Sequence, residues 1–206
     1  MAISALNINH SLADSSTHNR TQEGAKTLPA DGLQPLIAAC LRKERSAQQR
    51  LYDAYAARIY GIIRRYTEDD AIAEDIQSEA FCRIFDRLAQ YRFEGAFEGW
   101  MRRIAVNAVA DYFRRHRMPE TPTREATEDL PQSCAANGLA NLSYKELLAM
   151  IHELPSTQRA VFNLAVFEQY PHKEIGALLG IAESNSRWYL NDARRRLKEK
   201  IAAINR

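Results

Sequence analysis

Between Tyr91 and Arg117 six aromatic side chains (Tyr91, Phe93, Phe97, Trp100, Tyr112 and Phe113) interleave with six arginines (Arg92, Arg102, Arg103, Arg114, Arg115 and Arg117). Cations that track phosphates, set among rings that stack on exposed bases, are what a protein needs to hold melted single-stranded DNA. A base taken out of the duplex also needs polar groups at its edge. Asn107, whose amide carries both a donor and an acceptor, suits that contact. Phe97, Trp100, Met101 and Ile104 fall at helical spacing and are expected to be mostly core. The functional weight therefore falls on Asn107, Arg114 and Arg115, and on the loop Arg92, Phe93, Glu94 and Gly95.

A second set of residues lies near the C-terminus. Lys173–Leu179 reads as a short helix with Ile175, Leu178 and Leu179 inward, and Gly180 is a suitable stop because glycine takes the left-handed conformation at little cost. Ile181 would plug the gap, and the Ser184 hydroxyl could cap the next helix. In that helix Ser186, Leu190, Ala193 and Leu197 recur at spacings that make one buried stripe. The opposite face then presents Arg187, Trp188, Asn191 and Arg195, with Arg194, Arg196, Lys198 and Lys200 as phosphate contacts. Arg and Asn read guanine and adenine edges in the major groove. A solvated basic face would explain the last helix taken alone; the short helix and Gly-Ile turn before it favour a helix-turn-helix. Trp188 could equally pack against the preceding helix.

A third set has the opposite charge. Asp70, Glu74, Asp75, Glu79 and Asp86 crowd one predicted helix, with Gln77 and Ser78 beside them. Such a face repels phosphate and suits a protein partner, where charge complementarity steers association; a merely solvated face is the alternative.

The elements that must position these groups are helical. The 206 residues include only 8 Gly and 7 Pro, and long Ala/Leu/Arg/Glu-rich stretches favour helices over strands. The expected fold is all-α, in two small helical domains joined by a flexible linker. Residues 1–32 lack sustained periodicity and read as a disordered extension. A first domain is expected over 33–118. Leu36, Ile37, Cys40 and Leu41 form one apolar face, and Leu51, Tyr52, Tyr55, Ile59, Ile62, Ile63 and Tyr66 repeat at helical spacing. A helix over about 69–88 follows, with Thr67 as a candidate cap and Ile72, Ile76, Ala80, Ile84 and Leu88 in one stripe, and then a helix over about 97–115. Residues 119–142 read as linker. Helices over about 143–153, 156–168, 172–179 and 184–203 make a second domain, 143–206.

Net charge is only +2, so any basic surface must be local. Cys40, Cys82 and Cys134 are widely spaced and suggest neither zinc nor a disulfide framework. No signal peptide and no apolar run of about 20 residues is visible, so the expectation is a cytoplasmic protein with no membrane insertion. No Glu-x-x-His, HExxH, nucleophile elbow or phosphate-binding glycine loop is found; no enzyme, no metal and no cofactor is expected. His152 and His172 read as surface or capping residues.

Together these segments resemble the extracytoplasmic-function sigma factors, the smallest members of the sigma-70 family, over roughly residues 35–117 and 145–201. Asp75-Ile76-Gln77-Ser78-Glu79-Ala80-Phe81 is similar to the family's polymerase-docking helix. Phe97-Glu98-Gly99-Trp100-Met101-Arg102-Arg103-Ile104-Ala105-Val106-Asn107, with Asp111 and Arg114, resembles its promoter-melting segment. Leu154-Pro155 through Arg159, Phe162 and Leu164, then Glu174-Ile175 and Leu179-Gly180-Ile181, resembles its terminal helix-turn-helix. The resemblance implies a sigma factor that binds core RNA polymerase, at the clamp helices of the largest subunit and at the flap, and directs promoter recognition and melting. It implies docking through Asp70, Glu74, Asp75, Gln77, Ser78 and Glu79. It implies minus-ten capture by Arg92, Phe93, Glu94, Gly95, Asn107, Asp111, Arg114 and Arg115. For the minus-thirty-five duplex it implies Ser184, Asn185, Arg187, Trp188, Asn191, Arg194 and Arg195. It also admits an anti-sigma factor as partner. Two departures stand out: Ser78 replaces the family's usual Gln, and Ser184-Asn185-Ser186-Arg187-Trp188 replaces its usual Gly-Thr-Val-Lys-Ser. The rival reading is a free-standing helix-turn-helix regulator whose first domain dimerises or senses a signal.

Overall fold

In the computed structural model, residues 30–116 and 144–204 are described, and among them every regular element is helical. The expected linker lies outside the described residues, as do most of the N-terminal extension and Cys134. Helix α1 (Ala30–Leu41) begins slightly before the expected boundary. It buries Leu36, Ile37 and Cys40 but leaves Leu41 exposed, so the apolar face is one residue shorter than expected.

Helices α2 (Arg45–Ile63), α3 (Asp70–Arg87) and α4 (Phe97–Arg115) pack on one another. Their shared core holds Leu51, Tyr55, Ile59 and Ile63 from α2, Ile76, Ala80, Phe81 and Ile84 from α3, and Met101, Ile104 and Ala105 from α4. Tyr52, expected in the same stripe, sits at its edge with its ring 4.6 Å from Phe81. The α2–α3 turn is built from polar caps. Asp69, rather than Thr67, is the N-cap of α3 and accepts from the Ile72 amide at 3.1 Å; the Thr67 hydroxyl accepts from the Asp69 amide. The carboxylate thus satisfies a donor that the first turn leaves orphaned.

Helices α5 (Tyr144–His152), α6 (Ser156–Phe162), α7 (His172–Leu179) and α8 (Glu183–Ile204) form the second group. α6 ends in a π-helical turn, Asn163–Phe167. α8 packs on both α6 and α7 and buries Ser186, Leu190, Ala193 and Leu197, the stripe read from sequence. It starts at Glu183, so Ser184 lies within its first turn rather than capping it.

The two groups meet along α4. Residues 104–110 of α4 are all buried except the half-buried Asn107. At about 100° per residue, such a run cannot face one side only. α2 and α3 cover one side; α7 packs against the helix as well. Ala105, Ala108 and Ala110 have no bulk to hold neighbouring backbones apart.

Ile84 on α3 is fully buried. Ile84→Ala is expected to cost about 2–5 kcal/mol from lost burial plus the residual cavity, read by chemical denaturation; a loss below about 0.5 kcal/mol would mean that α3 is not packed as described.

Candidate nucleic-acid and partner interfaces

The loop before α4 is shaped by its own backbone and rings. Gly95 has φ +86° and Phe93 φ +60°, both in the left-handed region; glycine adopts it freely, whereas phenylalanine does so at a cost. The Tyr91 hydroxyl donates to the Gly95 carbonyl at 2.7 Å and closes the loop. The Tyr91 ring sits 4.9 Å from Phe97 and 5.5 Å from Trp100, tying the loop to the first turn of α4. Phe93 is left 44% exposed, beside exposed Arg92, Glu94 and Gly95. Trp100 is half-buried in this cluster, stacked on Phe97, in keeping with its reading as core.

Asn107 lies on α4 about two to three turns beyond that anchor. Loop and amide therefore belong to one elongated strip rather than one compact pocket. The C-terminal end of the strip is held by ion pairs. Asp111 accepts from Arg83 and from Arg114, each at 2.6 Å. Arg115 donates to Glu79 at 2.8 Å, and Arg83 reaches the same carboxylate at 2.5 Å. The bond from Arg115, against the opposing effect of burial and with help from Arg83, holds the Glu79 carboxyl below the usual carboxylate range.

This changes the composition of the acidic face. Glu79 pairs with arginines of its own fold. Asp70 is engaged by the Tyr60 hydroxyl at 2.8 Å and Arg64 at 3.1 Å. Gln77 is only 8% exposed and donates to the Ala56 carbonyl at 2.7 Å, joining α3 to α2. Glu74, Asp75 and Ser78 remain on the solvent side of α3. Gln77 does not point outward to make up for the glutamine that Ser78 replaces.

In the helix-turn-helix, α7 ends at Gly180 in the left-handed conformation, φ +67°. A side chain at Gly176 would come within 2.8 Å of the Ile181 carbonyl oxygen, so the turn requires glycine there too. His172 Nδ1 meets the buried Ser186 hydroxyl at 2.9 Å and locks the start of α7 to α8. Gln158 of α6 donates to Asp192 at 2.7 Å, fixing α8 from the other side. Burial would raise the Asp192 carboxyl, but hydrogen bonds from Arg196, Arg195 and Gln158 hold it low. On the outward surface Ser184, Arg187, Arg194 and Arg195 are exposed, whereas Asn185, Trp188 and Asn191 are half-buried. Trp188 meets the Tyr189 ring edge-on at 5.2 Å. Arg187 pairs with Glu183, and Arg195 with Asp192 and Glu199; Arg194 forms no ion pair among the described residues.

The residues that sequence reasoning missed join the two groups. Glu168 accepts from Arg102 at 2.5 and 2.9 Å and from Arg65 at 3.2 Å. His152 meets the Arg64 carbonyl at 2.6 Å, and Asn163 donates to the Arg65 carbonyl at 2.8 Å, so both serve the C-terminal end of α2. Of the two readings of His152, surface or capping, the structure fits the second: its side chain is buried, and the helix end that it meets lies 88 residues away and leaves no local signal. Among the described residues no cluster of His, Cys, Asp and Glu could hold a metal, and no helix is long and apolar enough to cross a membrane.

Comparison with known proteins adds the following. Residues 51–118 match the family Sigma-70 region 2, and residues 144–197 match Sigma-70, region 4; together they take in more than half of the chain. The ECF RNA polymerase sigma factor SigM of Bacillus subtilis is 28% identical over 149 residues, covering 72% of this chain and 91% of that one. The ECF RNA polymerase sigma factor SigE of Mycolicibacterium smegmatis is 30% identical over 155 residues, covering 72% and 59% respectively. Among solved structures, the sigma factor RpoE in complex with the anti-sigma factor NepR from Bartonella quintana is similar with a TM-score of 0.46 at 13% identity, covering 77% of this chain and 98% of that one.

The His172–Ser186 contact has a pH signature. Burial, and then the charge of Arg187, push the His172 imidazole below its ordinary value, with Arg194 adding to this and Glu183 opposing it. Because the folded pKa is depressed, the unfolded chain takes up the proton first. The contribution to stability is full above about pH 6.5 and is lost as pH falls through the folded pKa. Arg187→Gln is expected to raise the His172 pKa in an NMR titration; no change would mean that Arg187 does not act on this ring.

Proposed function

The chain belongs to the sigma-70 family, as one of its extracytoplasmic-function members, and on that premise we propose how its surfaces divide the work of starting transcription. It is a sigma factor: it binds core RNA polymerase and directs promoter recognition and melting. The observation that carries this is the order of the two matched regions, region 2 followed by region 4. The free-standing regulator would not need a region 2 and is not favoured. We read the protein as non-catalytic, working in the cytoplasm where the polymerase is. Its domains on this reading are 33–118 and 143–206, and an anti-sigma factor is a further partner class.

Docking onto polymerase falls to Glu74, Asp75 and Ser78 of α3, with the aromatic edge of Tyr52 and Phe85 beside them. Their exposure supports this, as does the burial of Gln77 and the internal pairing of Asp70 and Glu79. Exposed carboxylates set register and steer encounter, while aromatics supply buried area.

Melting falls to the strip along α4. The exposed Phe93 ring offers a stacking surface and Arg92 a phosphate contact, while Asn107 can hydrogen-bond a base edge. Arg114 and Arg115 are held by Asp111 and Glu79 at the far end, where incoming phosphates compete for them. Duplex reading falls to α8. Arg187 projects from its second turn and Arg194 from its middle, and the His172–Ser186 and Gln158–Asp192 bonds set its angle. Half-buried Trp188 acts there mainly through packing.

The direct experiment is reconstitution with bacterial core polymerase and transcription from a genomic promoter library; no binding and no promoter-directed synthesis would reject the reading. Asn107→Ala is expected to impair promoter opening and minus-ten preference with core affinity unchanged, and an equal loss of core affinity would reassign Asn107. Arg187→Ala is expected to weaken the upstream contact by about 1–3 kcal/mol if the guanidinium reads a base bidentately, measured by binding of holoenzyme to promoter variants; a uniform loss across all sequences would make it a phosphate contact instead.

A further inference from the structure

The turn between α1 and α2 is built to display cations. α1 closes with the Lys43 amide donating to the Cys40 carbonyl at 2.9 Å and the Glu44 amide donating to the Ala39 carbonyl at 3.2 Å. That pair of bonds makes a Schellman helix end, whose left-handed residue is usually glycine. Here it is Lys43, with φ +63°. A residue other than glycine holds this conformation at a cost, and such strain collects where a particular side chain is needed. Arg42, Lys43, Arg45 and Arg50 are all exposed. Arg42 is taken by Glu44 at 2.8 Å, but Lys43, Arg45 and Arg50 form no ion pair among the described residues. They differ in this from Arg58, Arg83, Arg114 and Arg115 of the same domain, each held by a carboxylate.

Packing brings this turn beside the loop assigned to base capture. Gln77 donates to the Ala56 carbonyl and Phe81 meets Tyr52, so α2 and α3 run antiparallel, with the end of α3 level with the start of α2. The pairs of Arg83 with Asp111 and Arg115 with Glu79 set an antiparallel register between α3 and α4, which puts the same end of α3 level with Asn107. A 3-10 turn, Leu88–Gln90, follows α3, packs on α1 and leads into Tyr91 and the loop. Exposed Arg87 and Arg92 flank it, and they too form no ion pair among the described residues. Along α2, Arg45 lies about 15 Å from Tyr55, whose ring meets Phe97 at 5.6 Å. A few nucleotides span that distance. Glu44 is used by Arg42, and Asp53 accepts from Gln49 at 2.8 Å. Asp86 and Glu94 are the remaining exposed carboxylates at this end, and the cations outnumber them.

We propose that the α1–α2 turn anchors the melted strand: Lys43, Arg45 and Arg50 bind backbone phosphates that flank the captured bases, with Arg87 and Arg92 between the turn and the loop. The proposal rests on the assignment of the 92–95 loop and Asn107 to melted DNA. Contacts of this kind position a strand and leave base preference to the loop and to Asn107. Charge separates the turn from the polymerase-docking face. A partner surface that complements Glu74 and Asp75 is basic, and it would repel these cations. Arg114 and Arg115 must exchange a carboxylate for a phosphate, whereas the cations of the turn have none to give up. They gain the full release of counterions from the strand.

The test uses the full chain bound to bacterial core polymerase, on a promoter fragment whose minus-ten element is single-stranded. Binding is measured across a salt series for the unaltered chain, for Lys43→Gly, Arg45→Gln and Arg50→Gln, and for the triple variant. Each single variant is expected to weaken binding about fourfold, and the triple variant to flatten the slope of log K against log salt by about 2, at about 0.7 for each single-strand phosphate. Core affinity and minus-ten base preference are expected to stay unchanged. Lys43→Gly separates the side chain from the fold, because glycine relieves the left-handed backbone: its melting temperature should be unchanged or higher while its DNA affinity falls. A second measurement leaves the protein unaltered and replaces single phosphates of the fragment by neutral methylphosphonates. Replacement at the contacted phosphates should weaken the unaltered holoenzyme and leave the triple variant indifferent.

Unchanged promoter affinity and salt slope in the triple variant overturn the anchor. An equal loss of core affinity also overturns it, since the turn would then meet polymerase rather than DNA. Methylphosphonate effects that are the same in the unaltered and triple-variant holoenzymes overturn it from the side of the DNA. Core binding by the unaltered chain reports separately on the sigma reading: if it is absent, that reading falls and the anchor with it, whereas core binding with an insensitive promoter affinity removes the anchor alone.

Discussion

Everything in this molecule is referred to one helix that is covered from two directions. α4 carries the aromatic loop at its start, Asn107 in its middle and the arginine pair at its end, and it is also where the two helical groups touch. A helix used in this way needs small side chains on the sides that meet other backbones, and Ala105, Ala108 and Ala110 supply them. It also has to keep polar chemistry on a stripe that is never permanently filled, and Asn107 is the half-buried break in an otherwise buried run.

The charges follow a common pattern. Arg115, Arg114, Arg187 and Arg195 are each held by a carboxylate of the same domain. Exposed pairs of this kind contribute about 0–1 kcal/mol each, whereas phosphate contacts gain from the release of counterions condensed on DNA. On the proposed assignment of these arginines to DNA, the exchange favours DNA, and the intramolecular pairs hold long side chains in position beforehand. Glu168 differs because its side chain is only 4% exposed and both of its oxygens are paired with arginines of the other helical group.

Much of the local architecture was legible in the sequence. The 97–115 helix, the Gly180 turn and the 186/190/193/197 stripe follow from helical periodicity and from the backbone freedom of glycine, which are properties of a few adjacent residues. The contacts that the sequence does not reveal have a common cause. Gln77 looks like a surface residue among Asp75, Ser78 and Glu79, but a helix turns by 100° per residue, and this position faces the Ala56 carbonyl. Glu79 and Asp70 look like free carboxylates, yet each has arginine or tyrosine partners on the same chain. Thr67 reads as a cap but lies two residues before Asp69, which offers the same acceptor chemistry, and Ser184 lies one residue after α8 has begun. The contacts that Glu168, Asn163 and His152 make across the two groups span 66 to 103 residues in sequence, and no pattern within one segment reveals such pairings.

The central claim is that one chain presents two DNA-reading surfaces of different kinds, one for a melted strand and one for duplex. Site-specific photo-crosslinking from positions 107 and 187, with and without bacterial core polymerase on a promoter fragment, tests this most directly. The account predicts that position 107 reaches an unpaired base of the minus-ten element only when core is present, while position 187 of the same complex reaches duplex at the minus-thirty-five element. Crosslinks from position 107 to polymerase alone, or to duplex DNA in the absence of core, would contradict it.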